Sequence, residues 1–261
     1  MARYDHIGKN YNETRSCDPV LLQNLIDLLQ VKENHQCIDI GCGTGNYTCA
    51  LANQGGSWIG VDPSEVMLSK ASAKCNTVHW LQGTAEDFGN DVPLFDRALC
   101  TLTIHHWPDL KAGFANISKH LHPEGKLVIF TSTPHQMKQY WLNAYFPKMM
   151  RVSMKQMPEL ERVKEALDVA GLIVEQAVPY DIHPELEDLF LYSGKFAPEM
   201  YFDPSIRRGI SSFSHLADQR EVEHGLRQLR ADIENGSFLE IARKFRHHGG
   251  DYLYLICHKK T

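Results

Sequence analysis

Three glycines at alternate positions lie in the stretch CIDIGCGTGNYT, Cys37 to Thr48, between a short apolar run and helix-compatible residues. Gly41, Gly43 and Gly45 let a backbone turn tightly and approach a ligand with no Cβ in the way. Asp39 stands two residues before the first of them, and Asp62 closes the next apolar run, SWIGV. A carboxylate at the end of that second strand can accept both hydroxyl protons of a ribose. The stretch has no GxxxxGK[ST] lysine to neutralise phosphates, and the GxGxxG dinucleotide fingerprint needs a glycine where Asn46 stands. A nucleoside-type ligand without a pyrophosphate remains. Each carboxylate also has a local reading: Asp39 fits a cap on the turn, and Asp62 before Pro63 fits a helix N-cap.

The second chemical feature is the pair His105-His106, in LTIHHWPDL. Imidazole takes up a proton near neutral pH, so either ring is a candidate catalytic base. On an extended chain adjacent side chains point to opposite sides, and no HExxH or paired cysteines accompany the two, so no metal site is expected. The alternative is that the histidines hydrogen-bond their own loop and hold WPDL ahead of the next helix.

Alternating strand-like and helix-like segments must position these residues. Asp18-Pro19 opens a helix on VLLQNLIDLLQV, QCIDI is the first strand, and TGNYTCALANQ is the helix after the glycines, ending at Gly55-Gly56. There follow the strand SWIGV, a helix on SEVMLSKASAK, the strands TVHWLQG and DRALCTLTI, a helix on DLKAGFANISKHL and the strand KLVIFTS. This repeated alternation of strand and helix predicts an α/β fold: a Rossmann-like doubly wound sheet, mostly parallel, with ligands bound at the carboxyl ends of its strands.

Composition narrows the partners. The chain has 261 residues and a formal charge of -5, which disfavours nucleic acid, since wrapping a polyphosphate needs a basic surface. The seven cysteines include no CxxC and suit reduced thiols in a cytoplasmic protein. The polar N-terminus and the absence of a long apolar run give no reason to expect a membrane partner.

The glycine turn, Asp62 after the second strand, GTAEDF after the third and the block FDRALCTLTIHHWPDL ahead of LHPEGKLVIF together resemble the class I S-adenosylmethionine-dependent methyltransferases, in particular the small-molecule enzymes of the ubiquinone/menaquinone-biosynthesis type. The likeness covers roughly the first half of the chain. It implies S-adenosylmethionine as cofactor and S-adenosylhomocysteine as product. Asp39, Gly41, Gly43 and Gly45 match the family's glycine motif, against the methionine and ribose, and Asp62 would hold the ribose diol. Pro63 and Met67 match the segment that packs on the adenine face, and Ala85 and Glu86 the loop that reads the adenine edge. Thr84 replaces an aspartate common there, leaving that contact open between Glu86 and Asp87. YDHIGKNYNETR resembles an N-terminal family segment that would put Tyr11 over the cofactor and Arg15 near its carboxylate. The resemblance also implies an antiparallel last strand.

The second half departs from the plain pattern. HQMKQYWLNAYFPKMM places Met137, Trp141, Tyr145 and Met149 at i+4 spacing, a stripe that predicts one lid helix. PELERVKEALDVAG and LIVEQAVPY resume the helix-strand order, residues 184–249 are helix-like, and DYLYLICHK closes the sheet. The expected organisation is a cofactor-binding half over 1–133, a lid over 134–157, the rest of the sheet in 158–183 and 250–261, and a helical cap over 184–249. The aromatic residues of that cap are expected to bury their rings, and Arg207-Arg208 fits either an acidic acceptor or a solvated helix face.

The expected function is methyl transfer to a small-molecule acceptor. No [DNS]PP[YFW] block of exocyclic-amine methyltransferases and no Pro-Cys of cytosine-C5 enzymes is present. The alternatives are a non-catalytic or regulatory binder of S-adenosylmethionine and a nicotinamide-dependent oxidoreductase. The sequence sets neither the acceptor nor the oligomeric state.

Overall fold

A computed structural model describes residues 14–260 and shows one seven-stranded sheet in the order β3-β2-β1-β4-β5-β7-β6. The strands are β1 (Gln36–Ile40), β2 (Ser57–Asp62), β3 (His79–Gln82), β4 (Phe95–Thr101), β5 (Leu121–Thr131), β6 (Leu172–Tyr180) and β7 (Tyr252–Lys259). β3-β2-β1-β4-β5 are mutually parallel, and β7 runs antiparallel between β5 and β6. The chain order reverses direction across the sheet at β1 and β4, so the crevice at their carboxyl ends is where such a sheet binds ligands.

Helix α1 (Pro19–Leu29) starts where Asp18 accepts a hydrogen bond from the Leu21 N–H at 2.8 Å, with Pro19 preset for the first turn. Its Leu21, Leu25 and Leu29 recur every fourth residue and are fully buried against the sheet. Helices α2 (Asn46–Ala52), α3 (Glu65–Lys74) and α4 (Leu110–His120) follow β1, β2 and β4. Asp109 caps α4 through the Lys111 and Ala112 N–H groups. As the succession TVHWLQG then DRALCTLTI implies, no helix separates β3 from β4: residues 83–94 form bends and irregular chain.

Two insertions build on this sheet. Between β5 and α6 (Leu160–Val169) the expected single lid helix is three pieces: Pro134–Met137, Leu142–Tyr145 and α5 (Pro147–Gln156). A proline inside a continuous helix would remove a hydrogen bond and clash with the preceding turn, so Pro147 instead begins a new one. Met137, Trp141, Tyr145 and Met149 are all buried, but as the centre of a cluster rather than as one stripe.

The second insertion, between β6 and β7, carries α7 (Gln219–Glu234) and shorter helical pieces that include Pro204–Gly209 and Phe238–Arg243. Trp141 packs edge-on to Tyr145, Tyr201 and Phe238, and Tyr140 stacks on Tyr192 at 4.0 Å and 7°. These rings join one hydrophobic cluster with α1 and with Leu99, Val128 and Phe130 of the sheet, while Ile38, Ile40 and Val61 belong to the core on the other face. Not every aromatic is buried as expected: Phe196 is 54% exposed. The Lys195 ammonium lies over its ring, 5.4 Å from the centroid. Among the described residues no helix is long and apolar enough to cross a membrane.

Candidate functional site

The glycine turn leaves β1 with positive φ at all three glycines. At Gly41 a Cβ would fall 2.0 Å from the Thr103 hydroxyl, so only glycine lets the β1 and β4 loops touch. At Gly43 a Cβ would meet nothing within 4 Å, because that face opens on a cleft. Gly45 instead packs under the Trp80 ring and precedes α2, away from the cleft lining.

Asp62 ties the turn to the next element. One carboxylate oxygen accepts the Gly43 N–H at 2.9 Å and the other accepts the Ser64 N–H at 2.9 Å. The cap of α3 is therefore Ser64, whose hydroxyl accepts from the Met67 N–H, and Asp62 does not take the N-cap role its neighbour Pro63 suggests. Asp62 and the buried Met67 both line the cleft. Asp39 lies behind the turn and does not line it. Fully buried, it accepts the Thr48 hydroxyl at 2.6 Å, and its other oxygen has no hydrogen-bond partner among the described residues. Burial pushes its carboxyl up to about 7 against the opposing Thr48 hydrogen bond, with the charge of Asp62 adding to the rise.

After β4 the chain kinks at Leu102 (φ 51°) into one 3₁₀ turn, Ile104–His106. The turn overrides the extended-chain expectation of opposed side chains: the His105 and His106 rings lie together, centroids 3.9 Å apart, and both line the cleft. Thr101 and Thr103 flank them in its wall.

Other expected residues fall elsewhere. Tyr11 lies outside the described residues. Pro63, Ala85 and Glu86 do not line the cleft. The Pro63 carbonyl accepts the Gln82 amide, the Ala85 carbonyl accepts the Asn116 amide at 3.0 Å, and Glu86 accepts the Asp109 N–H at 3.2 Å, at the start of α4. Asp87 closes its own turn with Thr84 and Gly89.

Arg15 does line the cleft, but its guanidinium is paired with Asp188 of the second insertion through two hydrogen bonds, one of 3.1 Å. Asn46, where the dinucleotide fingerprint would put glycine, has a role of its own: its amide donates to the Arg15 carbonyl at 2.8 Å, and its oxygen accepts the Lys74 ammonium at 2.5 Å.

The cleft holds about 1070 Å³, part of it open to solvent. Its far wall comes from both insertions, including Met137, Gln156, Met157, Phe190 and Ile210. Of these the sequence pointed to Met137 and Phe190. Gln156 and Met157 close an amphipathic helix, and nothing in their spacing separates a cleft wall from an ordinary helix face. Arg207 donates to the Tyr201 carbonyl, and neither it nor Arg208 reaches the cleft. Among the described residues no three His, Cys, Asp or Glu side chains gather as a metal site.

The residues present fit an adenosyl amino acid: open backbone at Gly43, an acceptor carboxylate at Asp62 and an apolar Met67 beside it. Comparison with known proteins agrees. Residues 38–129 match the family model described as a methyltransferase domain. A crystal structure from Anabaena variabilis, of a protein proposed to be a methyltransferase from an antibiotic biosynthesis pathway, is 31% identical over 94% of this chain and 99% of that one, with a TM-score of 0.82. The ubiquinone biosynthesis O-methyltransferase of Rickettsia akari is 30% identical over 147 residues, 50% of this chain and 58% of that protein. The chain spans about half the length of the curated relatives it matches. Geranyl diphosphate C-methyltransferase of Streptomyces coelicolor shares the fold at 13% identity and a TM-score of 0.57, over 92% of this chain and 75% of that one. The chain belongs to the class I S-adenosylmethionine-dependent methyltransferases, whose cofactor is S-adenosylmethionine.

Proposed function

We propose that this chain methylates a small-molecule acceptor held between the strand ends and the two insertions. The observation that carries this is one continuous cleft that joins Asp62 and the open face of Gly43 to the His105-His106 pair and then to the insertion-built wall. Asp62 would accept the ribose hydroxyls, Gly41 and Gly43 would lie along the methionine part, and Met67 would cover the adenine. Asp39 would act from behind, holding the turn through Thr48. Arg15, with its fork engaged by Asp188, fits an anchor for the insertion better than a free carboxylate receptor.

When bound, S-adenosylmethionine supplies an already activated sulfonium methyl. The protein has then to hold the acceptor in line and exclude water, and the buried wall formed by residues 134–157 and 184–249 suits both tasks as lid and cap. For a hydroxyl acceptor, an imidazole nitrogen of His105 or His106 would take the proton. Several curated relatives are named ubiquinone biosynthesis O-methyltransferases, which favours an oxygen acceptor.

Calorimetry with S-adenosylhomocysteine and NAD, followed by an acceptor screen with methyl-labelled cofactor, tests the reading. Binding of the first compound, no heat with NAD and label in an acceptor are expected. Binding without transfer to any acceptor would favour a regulatory binder, and binding of NAD alone would overturn the proposal.

A further inference from the structure

We propose that the acceptor is an uncharged molecule with a ring-sized apolar body and hydroxyl or carbonyl oxygens, and that Gln156 reads one of those oxygens. This deepens the methyltransferase reading of the same cleft and rests on it.

The charge content of the lining carries the argument. Among the described residues its only Asp, Glu, Lys or Arg side chains are Asp62 and Arg15. Both are engaged: Asp62 with the Gly43 and Ser64 N–H groups, Arg15 with the buried carboxylate of Asp188. Among the described residues the remaining wall offers no lysine or arginine to an anion. A phosphate, diphosphate or carboxylate acceptor would have to leave water for a site whose described residues hold no unengaged guanidinium or ammonium to meet it, and an unpaired charge is the costliest thing to bury. An uncharged acceptor meets no such penalty.

The polar groups of the wall point the same way. Ser153 on α5 donates to the Ser212 hydroxyl at 2.9 Å, and Tyr140 shares a 2.8 Å hydrogen bond with Ser132 and donates to the Asp251 carbonyl. These hydroxyls are satisfied within the protein and give a neutral lining. Gln156, one turn beyond Ser153, differs: its half-buried amide enters none of the hydrogen bonds among the described residues, yet it lines the cleft. A primary amide offers both a donor and an acceptor, the match for a hydroxyl or carbonyl oxygen. Around it Met137, Met157, Phe190 and Ile210 supply apolar surface, with two methionines able to adjust to a flat ring.

The test uses the full chain saturated with S-adenosylhomocysteine, titrated by calorimetry with three probes on one skeleton: 2,3-dihydroxynaphthalene, 3-hydroxy-2-naphthoate and 2-naphthyl phosphate. The neutral probe should bind at least about tenfold more tightly than either anion. Gln156→Arg should reverse that preference toward 3-hydroxy-2-naphthoate, by supplying the missing guanidinium. Equal or tighter binding of an anion by the unaltered protein, or no binding of the neutral probe at millimolar concentration, overturns the acceptor class. An unchanged ratio in Gln156→Arg, with S-adenosylhomocysteine still bound, removes Gln156 from the acceptor wall. Failure of the cofactor product itself to bind would instead strike the methyltransferase reading.

Discussion

Arg15 and Asp188, 173 positions apart in the chain, form a two-point ion pair, with Arg15 Nε donating to Oδ1 and Nη2 to Oδ2. Asp188 is 1% exposed and also accepts the Tyr47 hydroxyl at 3.2 Å, from α2 just beyond the glycine turn. Close by, Asp18 accepts the Glu187 N–H at 3.0 Å while capping α1. The start of the second insertion is thus fastened to the cap of α1 and to α2, the helix that follows the glycine turn.

Asp188→Asn should therefore destabilise the fold by about 3 kcal/mol, because it removes the buried carboxylate that pairs with a largely buried guanidinium. Arg15→Met in the same chain should recover much of the loss, since removing both charges removes the desolvation cost as well. Urea unfolding of the two variants measures this. A single substitution that costs under about 1 kcal/mol would show that the pair is a solvated surface bridge.

Asp62→Ala should weaken S-adenosylhomocysteine binding by about 1–3 kcal/mol, the usual cost of losing a hydrogen bond to a charged group. The Gly43 and Ser64 N–H groups also lose their acceptor, so the thermal midpoint should fall too. Ligand affinity unchanged by calorimetry would confine Asp62 to bracing the turn.

For His105 and His106 the expectation is kinetic. If one of them takes the acceptor proton, its change to asparagine should lower kcat by about 10²–10⁴-fold with S-adenosylhomocysteine affinity nearly unchanged. Loss of activity in proportion to loss of folded protein would assign the pair to holding the loop after β4.

The first half of the fold was readable because its signals are local. Asp18-Pro19 and Asp109 announce helix starts by their own chemistry, and β1 and β2 are short, largely apolar runs bounded by turn residues. The lid was not readable as a shape. Met137, Trp141, Tyr145 and Met149 have helical spacing, but Pro147 and packing against Tyr192, Tyr201 and Phe238 break the segment in three, and those partners lie far away in sequence. Arg15 presents the same difficulty in the site: its residue type suits a carboxylate, but only the fold shows that Asp188 supplies one. The pair of histidines was misplaced as geometry, because a single 3₁₀ turn brings together rings that an extended chain would separate.

Asp39 predicts a pH dependence. Its ordinary value is 3.8, and burial raises it to about 7 in the folded chain. Between those values the unfolded chain has released this proton and the folded chain has kept it, so the contribution to stability falls as pH rises from about 4 to 7 and is level on either side. Asp39→Asn cannot ionise and keeps an oxygen for Thr48. Its stability relative to the unaltered protein should rise across that window by on the order of 4 kcal/mol. Denaturant unfolding at pH 4.5, 6 and 7.5 measures the difference, and a flat one would mean that Asp39 is ionised in the fold throughout.

Gly225 sits in the middle of α7, where alanine would ordinarily stabilise a helix by about 1 kcal/mol. Here the sign should reverse. A Cβ at this position would lie 2.3 Å from the Tyr145 carbonyl and 2.6 Å from the Phe146 ring, and a backbone carbonyl cannot swing aside as a side-chain tip can. The helix is also held at that distance by other bonds: Glu221 accepts the Lys148 and Met149 N–H groups at 2.6 and 3.0 Å, and Tyr145 donates to Asp232 at 3.1 Å. Gly225→Ala must either strain these or push α7 away from the first insertion, at a cost of about 1–3 kcal/mol. The Tyr145-Phe146 segment leads directly into α5, which carries Gln156 and Met157 to the cleft wall. The substitution should therefore raise KM for the acceptor while S-adenosylhomocysteine affinity, set at the far end of the cleft, stays as it was. A stabilised protein with unchanged kinetics would show that α7 has room to move at no cost and does not position the wall.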